Sequence, residues 1–236
     1  MKHSPRTTAT LSPAQLTGCN SSHLVELQPG FLLHPAVLPA WHAMAAAAAL
    51  DGIELQPVST FRSFQQQAKI WQQKCDGERP VYDLQQQPVD VSQLTGWHKL
   101  EAILLYSALP GSSRHHWGTE LDVYDAASAR THHHQPQLDP TEYQAGGIFA
   151  LAGEWLRSEA RKFDFFLPYQ RYQGGVAAEP WHLSYQPLAE SCLATYQLAD
   201  LEAAIRQQPI AEQAAVLQYL PDIFQRYSLT ICRPHS

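Results

Sequence analysis

Two short polar segments, far apart in the chain, constrain its fold more than any other feature of the sequence. The first runs from Ser113 to Asp122 (SRHHWGTELD) and the second from Glu179 to His182 (EPWH). Together they hold histidines and an aspartate of the kinds that bind a metal, and a glutamate close to one candidate ligand. If these side chains converge, the fold must place the two segments beside each other.

The spacing within the first segment limits its local structure. His115 and Asp122 would lie ~10 Å apart along the axis of a helix, or ~23 Å apart and on opposite faces of a straight strand. Neither arrangement lets both side chains reach one ion at ~2 Å. The chain must therefore turn between them, which Gly118 permits. Asp122 is then predicted on the following strand, with Leu121 and Val123 on the opposite face.

The second segment combines a loop end with a strand. Pro180 prevents a regular central strand at its own position, so Glu179 is predicted at the end of a loop and His182 on the strand that follows. The carboxylate of Glu179 would then lie beside a bound metal without being a ligand. A carboxylate at that position can accept a proton from water.

Composition narrows the class of protein. The chain has 236 residues, of which 44% are apolar and 16% charged, with a formal net charge of −6. We expect one domain over 1–236, with a core at about residues 30–186 and a helical extension at 187–236. A basic run is missing, which argues against nucleic acid as a partner, and no apolar run is long enough for a membrane span. The four cysteines form no CxxC pair and are expected to be free thiols.

Hydrophobic periodicity and turn residues predict the elements. A short helix is expected to begin at Ser12-Pro13 and end at Gly18. Longer helices are expected over 35–50, 63–74, 97–109 and 142–162, with strands over 53–60, 120–124, 165–169 and 181–185. Loops are expected over 77–88 and 126–139, and short helices from 187 onward. This order predicts an α+β fold, in which a small antiparallel sheet carries the metal site and is flanked by helices, with a C-terminal helical extension.

A third segment completes a resemblance to a known family. The segment from Ser59 to Gln67 (STFRSFQQQ) is similar to the Ser-x-Tyr-Arg-Ser-x-x-x-Gln motif of the zinc D-alanyl-D-alanine carboxypeptidases and dipeptidases of the vancomycin-resistance type. Those enzymes are grouped with the lysostaphin-like endopeptidases and the hedgehog signalling domain. The segments at Ser113–Asp122 and Glu179–His182 resemble the other two motifs of this family, in the same order.

The resemblance implies a role for each matched residue. It implies that His115, Asp122 and His182 bind one zinc ion per chain, and that Glu179 is the general base. Arg62 is implied to stabilise the oxyanion or to hold the substrate carboxylate, since a guanidinium suits both tasks. Further positions are expected to contact the substrate or support the site: Ser113, Gln67 and Trp181.

Several residues depart from the family pattern or leave alternatives open. Phe61 replaces the usual tyrosine, and Glu120 stands where many relatives have alanine. Glu120 shares a strand face with Asp122, so it either adds negative charge near the metal or extends to solvent. His116 is a rival to His115 as ligand, or a contact to the substrate or to a ligand. A second metal site on the histidine run at 132–134 is disfavoured, because consecutive side chains do not easily face one ion.

The resemblance implies a zinc peptidase that hydrolyses peptidoglycan stem peptides near their C-terminus, foremost as a D-alanyl-D-alanine carboxypeptidase. The alternatives are an L,D-carboxypeptidase, a dipeptidase, a crosslink endopeptidase or a non-catalytic zinc- or cell-wall-binding module. The partner is a stem peptide or its precursor. Residues 7–17 are too polar for the core of a signal peptide, so a cytoplasmic location is expected, with the cell envelope as the alternative.

Overall fold

Residues 10–234 are described by the computed structural model, and they combine two small antiparallel sheets with surrounding helices. The predicted α+β class, with a small antiparallel sheet flanked by helices, is confirmed. Within the described residues no helix has the length and hydropathy needed to cross a bilayer. The first residues of the chain, on which part of the expected location rests, lie outside the described range.

Six strands form the two sheets of the described chain. A two-stranded hairpin pairs β1 with β2, and a four-stranded antiparallel sheet has the order β3-β4-β6-β5. The strands are β1 (Val25–Gln28), β2 (Phe31–Leu33), β3 (Leu55–Ser59), β4 (Glu120–Asp125), β5 (Phe165–Phe166) and β6 (His182–Tyr185).

The register of the four-stranded sheet brings the two polar segments together. Asp122 on β4 lies directly opposite His182 on β6, and Glu120 lies opposite Ser184. Directly opposed residues of an antiparallel pair project from the same face, so these four side chains share one face of the sheet. The intervening Leu121 points to the other face and is fully buried there. The strand alternation predicted for Asp122 is therefore confirmed.

Helices cover the sheet and extend to the end of the described chain. Short 3₁₀ turns lie at Val91–Gln93, Arg114–Trp117 and Ala160–Phe163, and a π-helical turn at Phe224–Leu229. The α-helices are α1 (Pro13–Leu16), α2 (Leu38–Leu50), α3 (Phe64–Cys75), α4 (Gly96–Leu104), α5 (Ala126–Thr131), α6 (Pro140–Tyr143), α7 (Ala150–Glu159), α8 (Gln186–Thr195), α9 (Leu198–Gln207), α10 (Gln213–Gln218) and α11 (Leu220–Ile223).

Two buried apolar clusters hold these elements together. One lies under the apolar face of the sheet, where α2 and α7 pack on β4 and β6. The other joins α3 and α4 to the C-terminal helices and includes Trp71, Leu100, Ile205 and Val216. The C-terminal helices thus share a core with α3, the helix in which the Ser59–Gln67 segment ends.

Some predicted elements differ from the structure. The hairpin β1–β2 was not predicted, and residues 126–131 form α5 instead of a loop. The helix predicted over 142–162 is divided into α6 and α7 by a turn at Gly146, whose φ of 85° lies outside the helical region. The next residue, Gly147, lies so close to the Thr141 backbone oxygen that a Cβ would be 2.2 Å from it. The helix predicted to reach residue 109 ends at Leu104. The strand predicted over 165–169 retains only two residues.

Candidate metal centre and active-site cavity

His115, Asp122 and His182 converge at one buried point. One nitrogen or oxygen from each side chain lies within 4.8 Å of the other two, and this is the one such cluster of three found among residues 10–234. His115 Nε2 is 3.1 Å from Asp122 Oδ2, and His182 Nδ1 is 3.0 Å from Asp122 Oδ1. The predicted convergence of the two segments is therefore present in the structure.

A tight turn brings His115 back toward Asp122. His115 lies in the 3₁₀ turn Arg114–Trp117, which ends at Gly118 with a φ of 70° in the left-handed region. A side chain at Gly118 would approach Leu24 to 2.3 Å, so glycine is required both for its conformation and for space. β4 begins immediately afterwards, which is the turn-then-strand geometry that the spacing predicts.

Hydrogen bonds to the outer nitrogen of each ring determine the tautomers of the two histidines. His115 Nδ1 is 2.6 Å from the backbone oxygen of Thr60, and His182 Nε2 is 2.8 Å from a carboxylate oxygen of Glu120. Carbonyl and carboxylate oxygens only accept hydrogen bonds, so these two nitrogens carry the protons. The other nitrogens, His115 Nε2 and His182 Nδ1, face the Asp122 carboxylate and are the ones that a cation would meet.

The charges around this point fit a divalent cation. The two inner ring nitrogens and the Asp122 carboxylate face one another, and Asp122 Oδ1 is buried and, although 3.0 Å from His182 Nδ1, has no partner in hydrogen-bonding geometry. The two histidines, against the opposing effect of burial, hold the pKa of Asp122 well below its usual range. Burial alone would lower the pKa of His182, but Asp122 and Glu120 outweigh it and raise that pKa to about 9. The site thus favours positive charge between the rings, and its two imidazoles and one carboxylate are a donor set that zinc accepts.

Glu120 is fully buried and anchors the ring of His182. Its carboxylate accepts hydrogen bonds from Arg114, Ser184 and Thr119 as well as from His182 Nε2. Burial alone would raise the pKa of Glu120, but the Arg114 guanidinium dominates and lowers it to about 2. The alternative that Glu120 extends to solvent is wrong. The residue is a charged partner behind a candidate ligand, an arrangement that orients metal-bound histidines.

Glu179 lies beside the three converging side chains. Its Oε2 is 3.5 Å from His182 Nδ1, and the turn through Pro180 is closed by the His182 N–H, which donates to the Glu179 backbone oxygen at 3.1 Å. Burial is the main cause that raises the pKa of Glu179, to about 7. A carboxyl group with such a pKa can both accept and release a proton near neutral pH.

Arg62 reaches the same point from the loop between β3 and α3. Its Nη2 donates to Asp122 Oδ2 at 2.8 Å, its Nε to Ser59 at 2.9 Å and its Nη1 to Gln67 at 3.2 Å. These bonds use three of the five guanidinium N–H groups, and the others remain for a ligand. Ser63 caps α3 together with Gln66, which fixes the backbone directly after Arg62.

Gln67 is fully buried behind Arg62, where it donates to the backbone oxygen of Ala108 and accepts from Arg62. It is not among the described residues that line the cavity. The expected direct contact between Gln67 and a substrate is therefore not supported by its position, which suits a residue that holds Arg62. The other expectation for Gln67, that it supports the site, agrees with this position.

The converging residues open into a cavity of about 580 Å³. Ser113 and Trp181, both expected near the substrate, line it together with His115, Asp122 and His182. Tyr169 lies edge-on to the ring of His182, at 5.0 Å between centroids. Other residues around the opening are Arg62, Ile70, Lys74, Arg79, Tyr82, Tyr106, Asp139, Pro140 and Glu179.

The other histidines considered as ligands, His116 and the run at 132–134, lie outside the converging group. His116 is fully buried, and burial lowers its pKa to about 3. Its Nδ1 donates to the backbone oxygen of Arg62 and its Nε2 accepts from the Gly111 N–H, so both nitrogens are used in holding the loop that carries Arg62. In the 132–134 run, His132 and His133 are exposed while His134 contacts Glu142.

Three groups at the site were not predicted from the sequence: the Thr60 carbonyl, Arg114 and Lys74. The two-residue alternation of β4 holds a signal for Glu120, because it places a second carboxylate on the face of Asp122. No comparable signal exists for the Thr60 backbone oxygen, which depends on where the loop before α3 passes.

Comparisons with known proteins agree with this architecture. The family model for VanY, D-alanyl-D-alanine carboxypeptidase, matches residues 30–188. A protein of Haemophilus influenzae described only as uncharacterized is 36% identical over 121 residues, which are 50% of this chain and 92% of that protein.

Three solved structures share the fold. VanYB in complex with D-alanine-D-alanine has a TM-score of 0.53 at 18% identity, covering 84% of this chain and 90% of that one. A mutant of the D,D-pentapeptidase VanY in complex with Zn(II) has a TM-score of 0.51 at 18% identity, covering 83% and 90%. The LD-carboxypeptidase LdcB has a TM-score of 0.50 at 21% identity, covering 88% and 79%.

Proposed function

The chain belongs to the VanY family of D-alanyl-D-alanine carboxypeptidases and is a hydrolase of peptidoglycan peptides, and on this basis we propose that it is a zinc-dependent D,D-carboxypeptidase. It would remove the terminal D-alanine from a stem peptide that ends in D-alanyl-D-alanine. The observation that carries the proposal is the convergence of one possible ligand atom each from His115, Asp122 and His182, beside the carboxyl group of Glu179.

The proposed ligands of zinc are His115 Nε2, Asp122 and His182 Nδ1. A zinc ion held there would lower the pKa of a water molecule and polarise the carbonyl of the scissile bond. The hydrogen bonds from His115 to Thr60 and from His182 to Glu120 keep both rings in the tautomer that binding requires. Both rings are therefore oriented before a ligand arrives.

Glu179 moves the proton in the proposed reaction. Its carboxylate accepts a proton from water as the water oxygen bonds to the carbonyl carbon of the peptide. The same carboxyl group then delivers that proton to the amide nitrogen as the C–N bond breaks, which yields a shortened peptide acid and free D-alanine. The pKa of about 7 suits both steps at neutral pH.

Arg62 stabilises the negative charge that develops on the carbonyl oxygen. Hydrogen bonds to Asp122, Ser59 and Gln67 hold the guanidinium in place, and its remaining N–H groups are left for the substrate. The side chain is only partly exposed. A pre-positioned cation of this kind is worth more in a water-poor cavity than in bulk solvent. Trp181 and Ser113 line the same cavity and are proposed to contact the peptide.

Chelator-dependent alanine release is the direct test of this function. The protein is incubated with a pentapeptide ending in D-alanyl-D-alanine, with and without a chelator, and released D-alanine is measured by mass spectrometry. We expect release that the chelator abolishes and added zinc restores. Release that persists after complete metal removal, or no release with zinc-loaded protein, contradicts the proposal.

A second peptide separates the D,D from the L,D specificity. A tetrapeptide whose terminal D-alanine follows an L-centre is tested in parallel, and the ratio of kcat/KM for the two peptides is measured. The proposal expects the pentapeptide to be preferred. Preference for the tetrapeptide assigns the L,D reaction instead, and cleavage only inside crosslinked dimers assigns an endopeptidase.

A further inference from the structure

The cavity contains four basic side chains, and two of them are already paired. Arg62 Nη2 is 2.8 Å from Asp122, and Arg114 Nη2 is 3.1 Å from Glu120. The other two are Lys74 and Arg79, which line the cavity together with Ile70. We call the surface formed by Ile70, Lys74 and Arg79 the lysine wall.

Lys74 is partly buried on this wall without a partner. It follows Ile70 by one turn of α3, so both side chains face the cavity. Among residues 10–234, no carboxylate lies within ion-pair distance of its ammonium group. Burial, followed by the nearby positive charge of Arg79, lowers the pKa of Lys74 to about 8. A cation that is desolvated and unpaired in a cavity is a site at which an anionic ligand gains binding energy.

The location of Lys74 relative to Glu179 indicates which anion it meets. Glu179 is close enough to raise the pKa of Lys74, and Lys74 in turn opposes the rise in the pKa of Glu179. In the proposed reaction Glu179 delivers a proton to the leaving amide nitrogen. In a terminal residue the free carboxylate carbon is only two bonds beyond that nitrogen, so a cation near Glu179 is well placed to bind it.

We propose that Lys74 binds the terminal carboxylate of the peptide and thereby selects chain ends over internal bonds. This inference rests on the proposed carboxypeptidase function and adds to it the residue that reads the chain end. Arg114 is paired with Glu120, and the remaining N–H groups of Arg62 are assigned to the carbonyl oxygen in the proposed reaction, which leaves Lys74 as the partly buried cation of the described cavity that is free for this task. Arg79 is exposed and adds positive charge at the same side.

The test compares a peptide acid with its amide. Two pentapeptides ending in D-alanyl-D-alanine are used, one with a free C-terminal carboxylate and one with a C-terminal carboxamide. For the wild type we expect a clear preference for the acid. Lys74→Met is expected to raise KM for the acid by about tenfold to a hundredfold, the range of a charge-assisted hydrogen bond, and to leave KM for the amide and zinc content unchanged.

Two further variants make the comparison specific. Lys74→Arg keeps the charge and is expected to retain most of the preference for the acid. Lys69→Met is the matched control, because Lys69 is exposed on the same helix and does not line the cavity. If Lys74→Met keeps the preference for the acid, or weakens acid and amide equally, Lys74 does not read the carboxylate.

A binding measurement separates failure of this inference from failure of the proposed function. Calorimetric titration uses stem-peptide analogues in which the last amide is replaced by a ketomethylene group, as acid and as carboxamide, with zinc-loaded protein. Weaker binding of the acid alone to Lys74→Met supports the subsite even if no peptide is hydrolysed. Equal affinities of wild type and Lys74→Met for the acid overturn the inference even if the enzyme releases D-alanine.

Discussion

Buried charges are paired at the base of the cavity, whereas a partly buried charge on the lysine wall is unpaired. At the base, Glu120 is fully buried and pairs with Arg114 and His182, while Ser184 donates to it as well. We call these four residues the cavity base. On the lysine wall, Lys74 is only partly buried and yet has no carboxylate partner among the described residues. At the cavity base the charged side chains pair with one another, although Arg114 Nη1 has no hydrogen-bond partner. The lysine wall instead leaves a cation available to an anionic ligand.

The difference separates what orients the site from what contacts a ligand. A network of paired buried charges is rigid, and removing one member lowers the stability of the protein, because its partners are left buried and unpaired. An unsatisfied cation lowers stability in the free protein and regains that free energy when an anion binds. Substitutions at the cavity base should therefore affect folding and metal affinity, whereas substitutions on the lysine wall should affect substrate selection.

The largest effect is expected for Glu120→Ala. This change leaves the Arg114 guanidinium buried without its carboxylate and removes the hydrogen-bond acceptor of His182, so the free energy of unfolding should fall by about 3–5 kcal/mol. Urea denaturation followed by circular dichroism measures the change. The double variant Glu120→Ala/Arg114→Met removes both charges and should recover most of that loss. A single variant as stable as the wild type would show that the pair is not a structural element.

Glu179→Gln should remove activity without affecting the cavity base. The amide cannot accept the proton of water, so kcat for D-alanine release should fall by about 10²–10⁴-fold. Thermal unfolding and zinc content should match the wild type, because Glu179 is not one of the three proposed ligands. Activity within threefold of the wild type, with metal present, would remove Glu179 from the mechanism.

Glu120→Gln is a milder change at the carboxylate that orients His182. The amide oxygen can still accept from His182 Nε2, but the negative charge behind the ring is lost, and zinc affinity should fall by about 10–100-fold. Competition with a chromophoric chelator measures the affinity directly, independently of activity. Glu202→Gln is a matched control, since Glu202 is a partly exposed carboxylate on α9 that pairs with Arg206. An unchanged affinity would mean that the charge of Glu120 does not act through His182.

Local chain geometry explains which parts of the site could be predicted from sequence. The spacing of His115, Gly118 and Asp122 allows few backbone paths to one ion, and the observed path is the turn-then-strand that was expected. The placement of Glu179 at a loop end and of His182 on the next strand was predicted in the same way, from the proline between them. The resemblance to a family added Arg62, for which no periodicity or spacing gives a reason.

The remaining features depend on contacts between distant segments. The burial of Glu120 follows from the pairing of β4 with β6, which places Ser184 opposite it. The position of Gln67 behind Arg62 depends on the backbone oxygen of Ala108, far along the chain. Such contacts are fixed by tertiary packing, which local propensity does not describe. The helix α5, predicted as part of a loop at 126–139, is a different case, because its N-terminal cap is local: the Asp125 side chain accepts from the Ala127 N–H.

The smallest expected effect concerns the stability of Lys74→Met. The pKa of Lys74 is lowered to about 8 from its usual value of 10.5, so between these pH values the unfolded chain binds more protons and the stability contributed by this residue rises with pH. Below pH 8 the full cost of the buried charge is present, and Lys74→Met should be more stable than the wild type by up to about 1 kcal/mol, a small value because the side chain is partly exposed.

This stability difference should shrink as the pH rises from 8 toward 10.5, where the wild-type lysine becomes neutral in both states. Urea denaturation of both proteins at pH 7 and pH 10 measures it, with Lys69→Met as the exposed control that should show no such trend. A difference that is constant with pH would mean that Lys74 is well solvated, and the contrast between the cavity base and the lysine wall would then lose its energetic basis.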